Sequence, residues 1–138
     1  GAVCYLDADD VYLEGHLRVM RDALVGRRGS FAVKTRMKLW DEEGGGPLRL
    51  SDRWKAAVEN GAPTNMCVRY SAHQCVRGFP GGKGHGEDHL YVRRLMNLGA
   101  HLGGEISYVE EETVVYNRRA GNSLDRQRRM IEEDRLEG

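Results

Sequence analysis

The segment from Val3 to Asp10 places a short apolar run directly before a cluster of acidic residues. The run Val-Cys-Tyr-Leu is rich in residues that favour β-structure, which indicates a buried strand. Asp7, Asp9 and Asp10 follow it within four positions. Carboxylates this close repel one another unless a cation offsets their charge, and ligands of open α/β sheets gather at the carboxyl ends of strands. The pattern predicts a site for Mg²⁺ or Mn²⁺.

A second interpretation of the same acids needs no metal. Asp9 or Asp10 can cap the helix that is predicted to begin near Glu14, because a carboxylate accepts hydrogen bonds from the first amides of a helix. They can also lie in a solvated turn. The sequence alone leaves both interpretations open.

The composition limits the function classes. The chain has 138 residues, a length typical of one domain, and its 21 basic residues balance 21 acidic ones. Zero net charge gives no overall electrostatic case for nucleic-acid or membrane binding. No apolar run approaches the roughly 18 residues of a membrane-spanning helix. Cys4, Cys67 and Cys75 are odd in number and lack zinc-site spacing, so we interpret them as buried free thiols of a cytoplasmic protein.

Hydrophobic periodicity predicts alternating strands and helices. The predicted strands are 2–6, 31–40, 66–70, 105–109 and 113–116, and the predicted helices are 14–26, 51–59, 71–76, 87–98 and 123–136. Period-two alternation indicates that strand 31–40 is half-buried. Helical spacing predicts that the inward face of helix 14–26 consists of Leu17, Met20, Leu24 and Val25. The inward face of helix 87–98 is predicted to include Leu90, Leu95 and Leu98. The glycine-rich segments 41–47 and 77–86 are predicted loops.

Two further groups of charged residues are candidates for chemistry. Glu87 and Asp88 follow the glycine-rich loop and open a predicted helix, a place where the helix dipole alone favours acids. Combined with a metal site elsewhere, one of them can instead be a general base that takes a proton from a nucleophile. Arg118 and Arg119 follow the last predicted strand and can bind a phosphate group, or can form an exposed basic turn.

These motifs, in this order, resemble the second half of a family 2 glycosyltransferase with a GT-A fold. Residues 5–17 resemble the strand ending Leu-Asp-x-Asp-Asp and the helix after it. Residues 66–80 and 85–90 resemble the strand, helix, Gly-Phe turn and Glu-Asp pair of the family. Residues 103–116 resemble the segment before the family's C-terminal Tyr-Arg-x-His stretch, so the resemblance extends from residue 2 to about residue 124.

The resemblance implies roles for the acidic residues. Asp9 would be the ligand of Mn²⁺ or Mg²⁺ that bridges to a nucleotide-diphosphate sugar, with Asp7 beside it facing the sugar or ribose and Asp10 assisting. Asp88 would deprotonate the acceptor, a saccharide or another hydroxyl compound, and Glu87 would orient it. The reaction implied is an in-line displacement that inverts the anomeric carbon.

The chain departs from the family pattern in two respects. Arg119 stands where the family often has a metal-binding His. The departure implies either that Arg118 and Arg119 contact the donor diphosphate instead, or that the metal is held more weakly. The family's N-terminal nucleotide-binding strands are absent. We therefore expect a single partial domain over residues 1–138, an α/β fold whose mixed sheet has flanking helices.

An incomplete sheet would expose an edge at strand 2–6, which favours pairing with a second copy of the chain. The alternative function is accordingly a non-catalytic, dimeric interaction or carbohydrate-binding module. The enzyme hypothesis rests on the intact acidic motifs, and the alternative rests on the missing half.

Overall fold

The computed structural model describes residues 1–77 and 87–137, without the side chains of residues 87–89, 123, 131 and 133–137. The strands are β1 (Ala2–Cys4), β2 (Val11–Tyr12), β3 (Ser30–Asp41), β4 (Gly46–Pro47), β5 (Met66–Arg69) and β6 (Glu105–Arg118). The helices are α1 (His16–Gly26), α2 (Asp52–Gly61), α3 (Tyr70–Cys75), α4 (Glu87–Leu102) and α5 (Ser123–Glu137).

The strands form one mixed sheet in the order β1-β5-β3-β6-β2, with β4 paired to β3. Strand β3 runs parallel to β6, and the other pairs are antiparallel. Ala32 and Val33 are neighbours on β3 and so point to opposite faces of the sheet. Ala32 packs with α4 through Tyr91, and Val33 packs with α1 through Met20. The expected α/β class, a mixed sheet with flanking helices, is confirmed.

The prediction that β3 is half-buried is correct only for its second half. From Arg36 to Trp40 exposed and buried residues alternate, whereas residues 32–35 are all buried. The first half lies between helices on both faces, so both sets of side chains lose contact with water. Lys34 is among them, and its Nζ donates a hydrogen bond to the Ala62 carbonyl at 2.5 Å.

The inward faces of two helices differ from those predicted. In α1 the buried residues are His16, Met20 and Leu24, whereas Leu17 and Val25 are exposed. His16, Met20 and Leu24, at positions i, i+4 and i+8, form the stripe that packs on the sheet. The polar His16 thus belongs to the inward face, which was predicted to be apolar. In α4 the prediction failed for Leu90, which is exposed; the buried set is Tyr91, Val92 and Leu95, with Leu98 packed against the same core.

One strand replaces the two predicted between residues 105 and 116. Strand β6 is continuous over 14 residues, and its pairing with β3 shifts register between Lys34 and Met37. The acidic run Glu110–Glu112 interrupts the apolar pattern and suggested a break. Two of its carboxylates pair with cations of neighbouring elements: Glu110 with Arg36 at 3.1 Å, and Glu112 with Lys55 at 3.4 Å.

The contact between α4 and β3 leaves no room for a side chain at Gly99. A Cβ there would overlap the Phe31 ring and lie 2.8 Å from the Gly104 carbonyl oxygen. We expect Gly99→Ala to lower the free energy of unfolding by about 1–3 kcal/mol, measured by urea denaturation. Gly26→Ala is the matched control, because a Cβ at Gly26 would meet nothing within 4 Å. Equal stability of the two variants would contradict this packing.

Candidate acidic site

The acidic cluster forms a turn that is separated from β1 by Tyr5 and Leu6, because the strand ends at Cys4 and not at residue 6 as predicted. The Asp10 amide donates a hydrogen bond to the Asp7 carbonyl at 3.0 Å, which closes the turn at the carboxyl end of the strand. Helix α1 begins at His16 with Gly15 as its N-cap, and no side chain caps it. The alternative in which Asp9 or Asp10 caps this helix is therefore wrong.

The end of β6 holds the turn in place through Asn117. Its side-chain amide donates to the Asp9 carbonyl at 2.7 Å, and its backbone amide donates to Asp10 Oδ1 at 3.2 Å. The role of Asn117 was not predicted from the sequence. A single Asn carries no local signal for a partner more than a hundred positions away, although its place directly before Arg118 and Arg119 marked the segment as a candidate.

Asp10 is buried, with 6% of its surface exposed. Its second oxygen, Oδ2, has no hydrogen-bond partner within the described residues. Burial raises the pKa of Asp10 to about 7, although the Asn117 amide and the nearby Thr64 hydroxyl lower it, and the charges of Asp7 and Asp9 raise it further. A buried carboxyl with an unpaired oxygen remains protonated or requires a cation, so the solvated-turn interpretation does not fit this residue.

Asp7 and Asp9 are more accessible than Asp10. Asp7 is exposed, yet partial burial against the turn, and then the charge of Asp9, raise its pKa. Asp9 pairs with Arg119, whose Nη1 lies 3.1 Å from Asp9 Oδ1. Arg119 also pairs with Glu42 on the β3–β4 loop. The Arg119 guanidinium therefore supplies the positive charge that pairs with Asp9, the residue predicted to bind the metal ion.

Arg118 makes different contacts. Its Nη1 lies 3.1 Å from both Asp41 and Glu43, and its Nε donates to Asp125 at 2.8 Å. Hydrogen bonds to Asp125 and Asp41 raise the pKa of this guanidinium further. Only 11% of the side chain is exposed. Arg118 thus joins β6, β3 and α5, and its predicted contact with a donor diphosphate stays a prediction.

Glu87 and Asp88 form the first turn of α4, and their side chains lie outside the described part of the chain. A hydrogen-bonded network connects this helix to the acidic turn. The hydroxyl of Tyr5, two residues before Asp7, lies 2.6 Å from His73 Nδ1. His73 Nδ1 in turn lies 2.8 Å from the Tyr91 hydroxyl, and the two tyrosine hydroxyls also contact each other.

The network packs Tyr91 of α4 against Tyr5 and His73. Tyr91 is fully buried, and the rings of Tyr5 and His73 pack against it. Burial, followed by the hydrogen bond with Tyr91, raises the pKa of Tyr5, so its hydroxyl keeps its proton. The structure therefore joins the segment after β1 to α4 through hydrogen-bonded side chains.

The described residues contain no group of three or more His, Cys, Asp and Glu side chains arranged to hold a metal ion. Mg²⁺ is usually bound through only one or two carboxylates, with waters and substrate phosphates completing its shell. Asp7 and Asp9, the two more accessible acids of the turn, offer two carboxylates with hard oxygens and fit that limited role.

No protein-family model matches the chain, and no curated protein matches its sequence. Among the described helices, none is both long and apolar enough to cross a membrane. The proposal below therefore rests on the motifs and the geometry of the acidic site.

The buried carboxyl of Asp10 predicts a pH-dependent stability. Because its folded-state pKa is about 7, above the ordinary value near 4, its stabilising contribution is complete below about pH 4 and is lost as the pH rises through about 7. Relative to Asp10→Asn, we expect the wild-type chain to lose roughly 1–3 kcal/mol of unfolding free energy between pH 5 and pH 8 in EDTA. Urea denaturation at the two pH values measures this difference.

The comparison with Asp10→Asn removes an opposing effect. Burial lowers the pKa of His16 to about 4, so its neutral form stabilises the fold at higher pH, and that contribution is lost as the pH falls through about 4. His16 is present in both proteins and cancels in the difference. Parallel pH profiles for wild type and variant would show that Asp10 is not the titrating group.

Proposed function

We propose that the chain is the acceptor half of an inverting glycosyltransferase with a partial GT-A fold, which uses a nucleotide-diphosphate sugar and Mn²⁺ or Mg²⁺. The observation that carries the proposal is the connection of the acidic turn after β1 to the first turns of α4 by Tyr5, His73 and Tyr91. The connection supports the proposal because it joins the two backbone segments that carry the acid cluster and the Glu-Asp pair, and metal-assisted transfer uses a metal-binding acid cluster and a separate general base.

In the proposed reaction Asp7 and Asp9 are the residues that would hold the divalent cation. When bound, the cation offsets the negative charge that develops on the departing nucleotide diphosphate. Asp88 accepts the proton of the acceptor hydroxyl, and Glu87 orients that hydroxyl. The acceptor oxygen then attacks the anomeric carbon from the face opposite the diphosphate, which inverts its configuration.

Arg119 is the residue we propose to contact the diphosphate. It is half-exposed, and it already bridges Asp9 and Glu42. A planar guanidinium matches the oxygens of a diphosphate as it matches those of a carboxylate. Arg119 would then contact the diphosphate, while Arg118 holds the adjoining backbone through Asp41 and Asp125.

Thermal unfolding across a panel of nucleoside diphosphates tests donor binding. With Mn²⁺ present, we expect UDP or GDP to raise the melting temperature, because a ligand at 100 times its dissociation constant adds about 2.7 kcal/mol to the folded state. Asp9→Ala should abolish the Mn²⁺-dependent rise. Asp22→Ala is the matched control, since Asp22 is an exposed acid on α1 paired only locally with Arg21.

A third variant separates donor binding from catalysis. Asp88→Asn should retain the nucleotide-dependent shift, because the proposed base does not contact the diphosphate. The absence of any shift with Mn²⁺ and each nucleotide in the wild-type chain would refute the proposed donor site. A shift that survives in Asp9→Ala would place the nucleotide elsewhere on the chain.

A second candidate function, a non-catalytic dimeric module, is favoured by the position of β1 at one end of the sheet. The Tyr70 amide donates to the Gly1 carbonyl at 2.9 Å, so Gly1 and Tyr70 form a hydrogen-bonded pair. Hydrogen-bonded and non-hydrogen-bonded pairs alternate along antiparallel strands. In the register that pairs Ala2 with Arg69, Ala2 therefore directs its backbone amide away from β5, toward the open edge.

This geometry provides a selective test of the dimer. Ala2→Pro removes one outward amide and leaves the hydrogen bonds to β5 intact, as proline on an edge strand does. If the module pairs edge to edge, light scattering should give a dimeric mass for wild type and a monomeric mass for Ala2→Pro at an unchanged melting temperature. A monomeric wild-type chain, or a dimer that persists in the variant, would contradict pairing through β1.

A further inference from the structure

Cys4 and Cys67 lie directly opposite each other on β1 and β5. The hydrogen-bonded pair Gly1–Tyr70 sets the alternation along these strands, so Val3–Val68 is also hydrogen-bonded and Cys4–Cys67 is not. In a non-hydrogen-bonded antiparallel pair the Cα atoms are about 4.5 Å apart and the side chains are closest. That separation lies within the range of about 4.4–6.8 Å that a disulfide spans.

The surroundings bring the two thiols together and leave one of them accessible. Cys67 is buried with Met20 and Leu24 of α1, and Cys4 packs against the same cluster from the edge strand. Cys4 is only partly buried. A hydrogen bond between the thiols lowers the pKa of Cys4, and the same bond together with burial raises the pKa of Cys67. Cys4 is consequently the more acidic and the more exposed sulfur of the pair.

We propose that Cys4 and Cys67 form an oxidation site, at which a peroxide converts the two thiols into a cross-strand disulfide. The Cys4 thiolate attacks one oxygen of hydrogen peroxide and breaks the O–O bond, which gives a Cys4 sulfenic acid and, with one proton, water. The Cys67 sulfur then attacks the Cys4 sulfur, and the displaced hydroxide leaves as water with the Cys67 proton. Two thiols are oxidised, and one peroxide is reduced to two waters.

The disulfide would fasten the edge strand to the body of the sheet. Strand β1 contributes three residues to its pairing with β5, and the acidic turn begins three positions after Cys4. A disulfide at this point would hold β1, the strand that precedes the acidic turn, against β5. Reduction of the disulfide by a thiol would release β1 again. In a reducing compartment such a bond is transient and redox-sensing rather than structural.

Peptide mapping of the full wild-type chain provides the test. The chain is treated with hydrogen peroxide, alkylated in denaturant and digested with trypsin, which places the three cysteines on separate peptides, 1–18, 56–69 and 70–77. We expect the number of alkylated thiols to fall from three to one. The peptides 1–18 and 56–69 should be joined, with the mass of two hydrogens lost, and dithiothreitol should restore both thiols.

Two variants control the assignment. Cys75→Ser should give the same linked peptides, because Cys75 is exposed on α3 outside the strand pair. Cys67→Ser should leave Cys4 as an oxidised acid with no intramolecular link. The proposal is overturned if wild-type Cys67 remains alkylated while Cys4 advances to a sulfinic acid, if Cys75 is the linked partner, or if the linkage joins two chains.

Discussion

Strands β3 and β6 run parallel from the pair Ser30–Glu105 to the pair Asp41–Arg118, and the rest of the described structure depends on this pairing. Strand β3 is central, and β5 and β6 flank it. At the C-terminal ends of the two strands, Asp41 of β3 lies beside Arg118 of β6, and the Arg118 guanidinium also binds Asp125 of α5. Because Arg118 is fixed in this way, Asn117 before it and Arg119 after it meet the turn that follows β1. A long-range backbone register thus positions the candidate site.

The sequence predicted the elements whose signals are local. The alternation around Met37 and the start of α2 after Ser51 lie where they were expected. The first strand was expected to be buried over residues 2–6, but it spans Ala2–Cys4 at the edge of the sheet and Leu6 is exposed. Features that depend on distant partners were not predictable. The acidic run Glu110–Glu112 continues a strand because cations from β3 and α2 pair with it. Cys75 was expected to be buried and is exposed, because its short helix presents that position to solvent.

The candidate site shows the same division between local and long-range information. The acids were visible in the sequence as a cluster, whereas the residues that hold them, Asn117 and the Tyr5–His73–Tyr91 network, come from four separate segments. Tyrosine and histidine side chains also occur in protein cores as hydrogen-bonded packing residues with no role in a site. Only their mutual distances show that they connect the end of β1 to the start of α4, and spacing along the chain does not contain those distances.

The charge balance at the turn gives a reason for a cation that is independent of any resemblance. Three carboxyls lie within four positions, and within the described residues Arg119 is the guanidinium that pairs with one of them, Asp9. The pKa of Asp7 and that of Asp10 are both raised, so the ionised form of each is disfavoured where it stands. Asp10 keeps a buried oxygen without a partner. A divalent cation would supply the missing positive charge and favour ionisation of both groups. Burial is the larger cause of both raised pKa values, and repulsion among the acids adds to it.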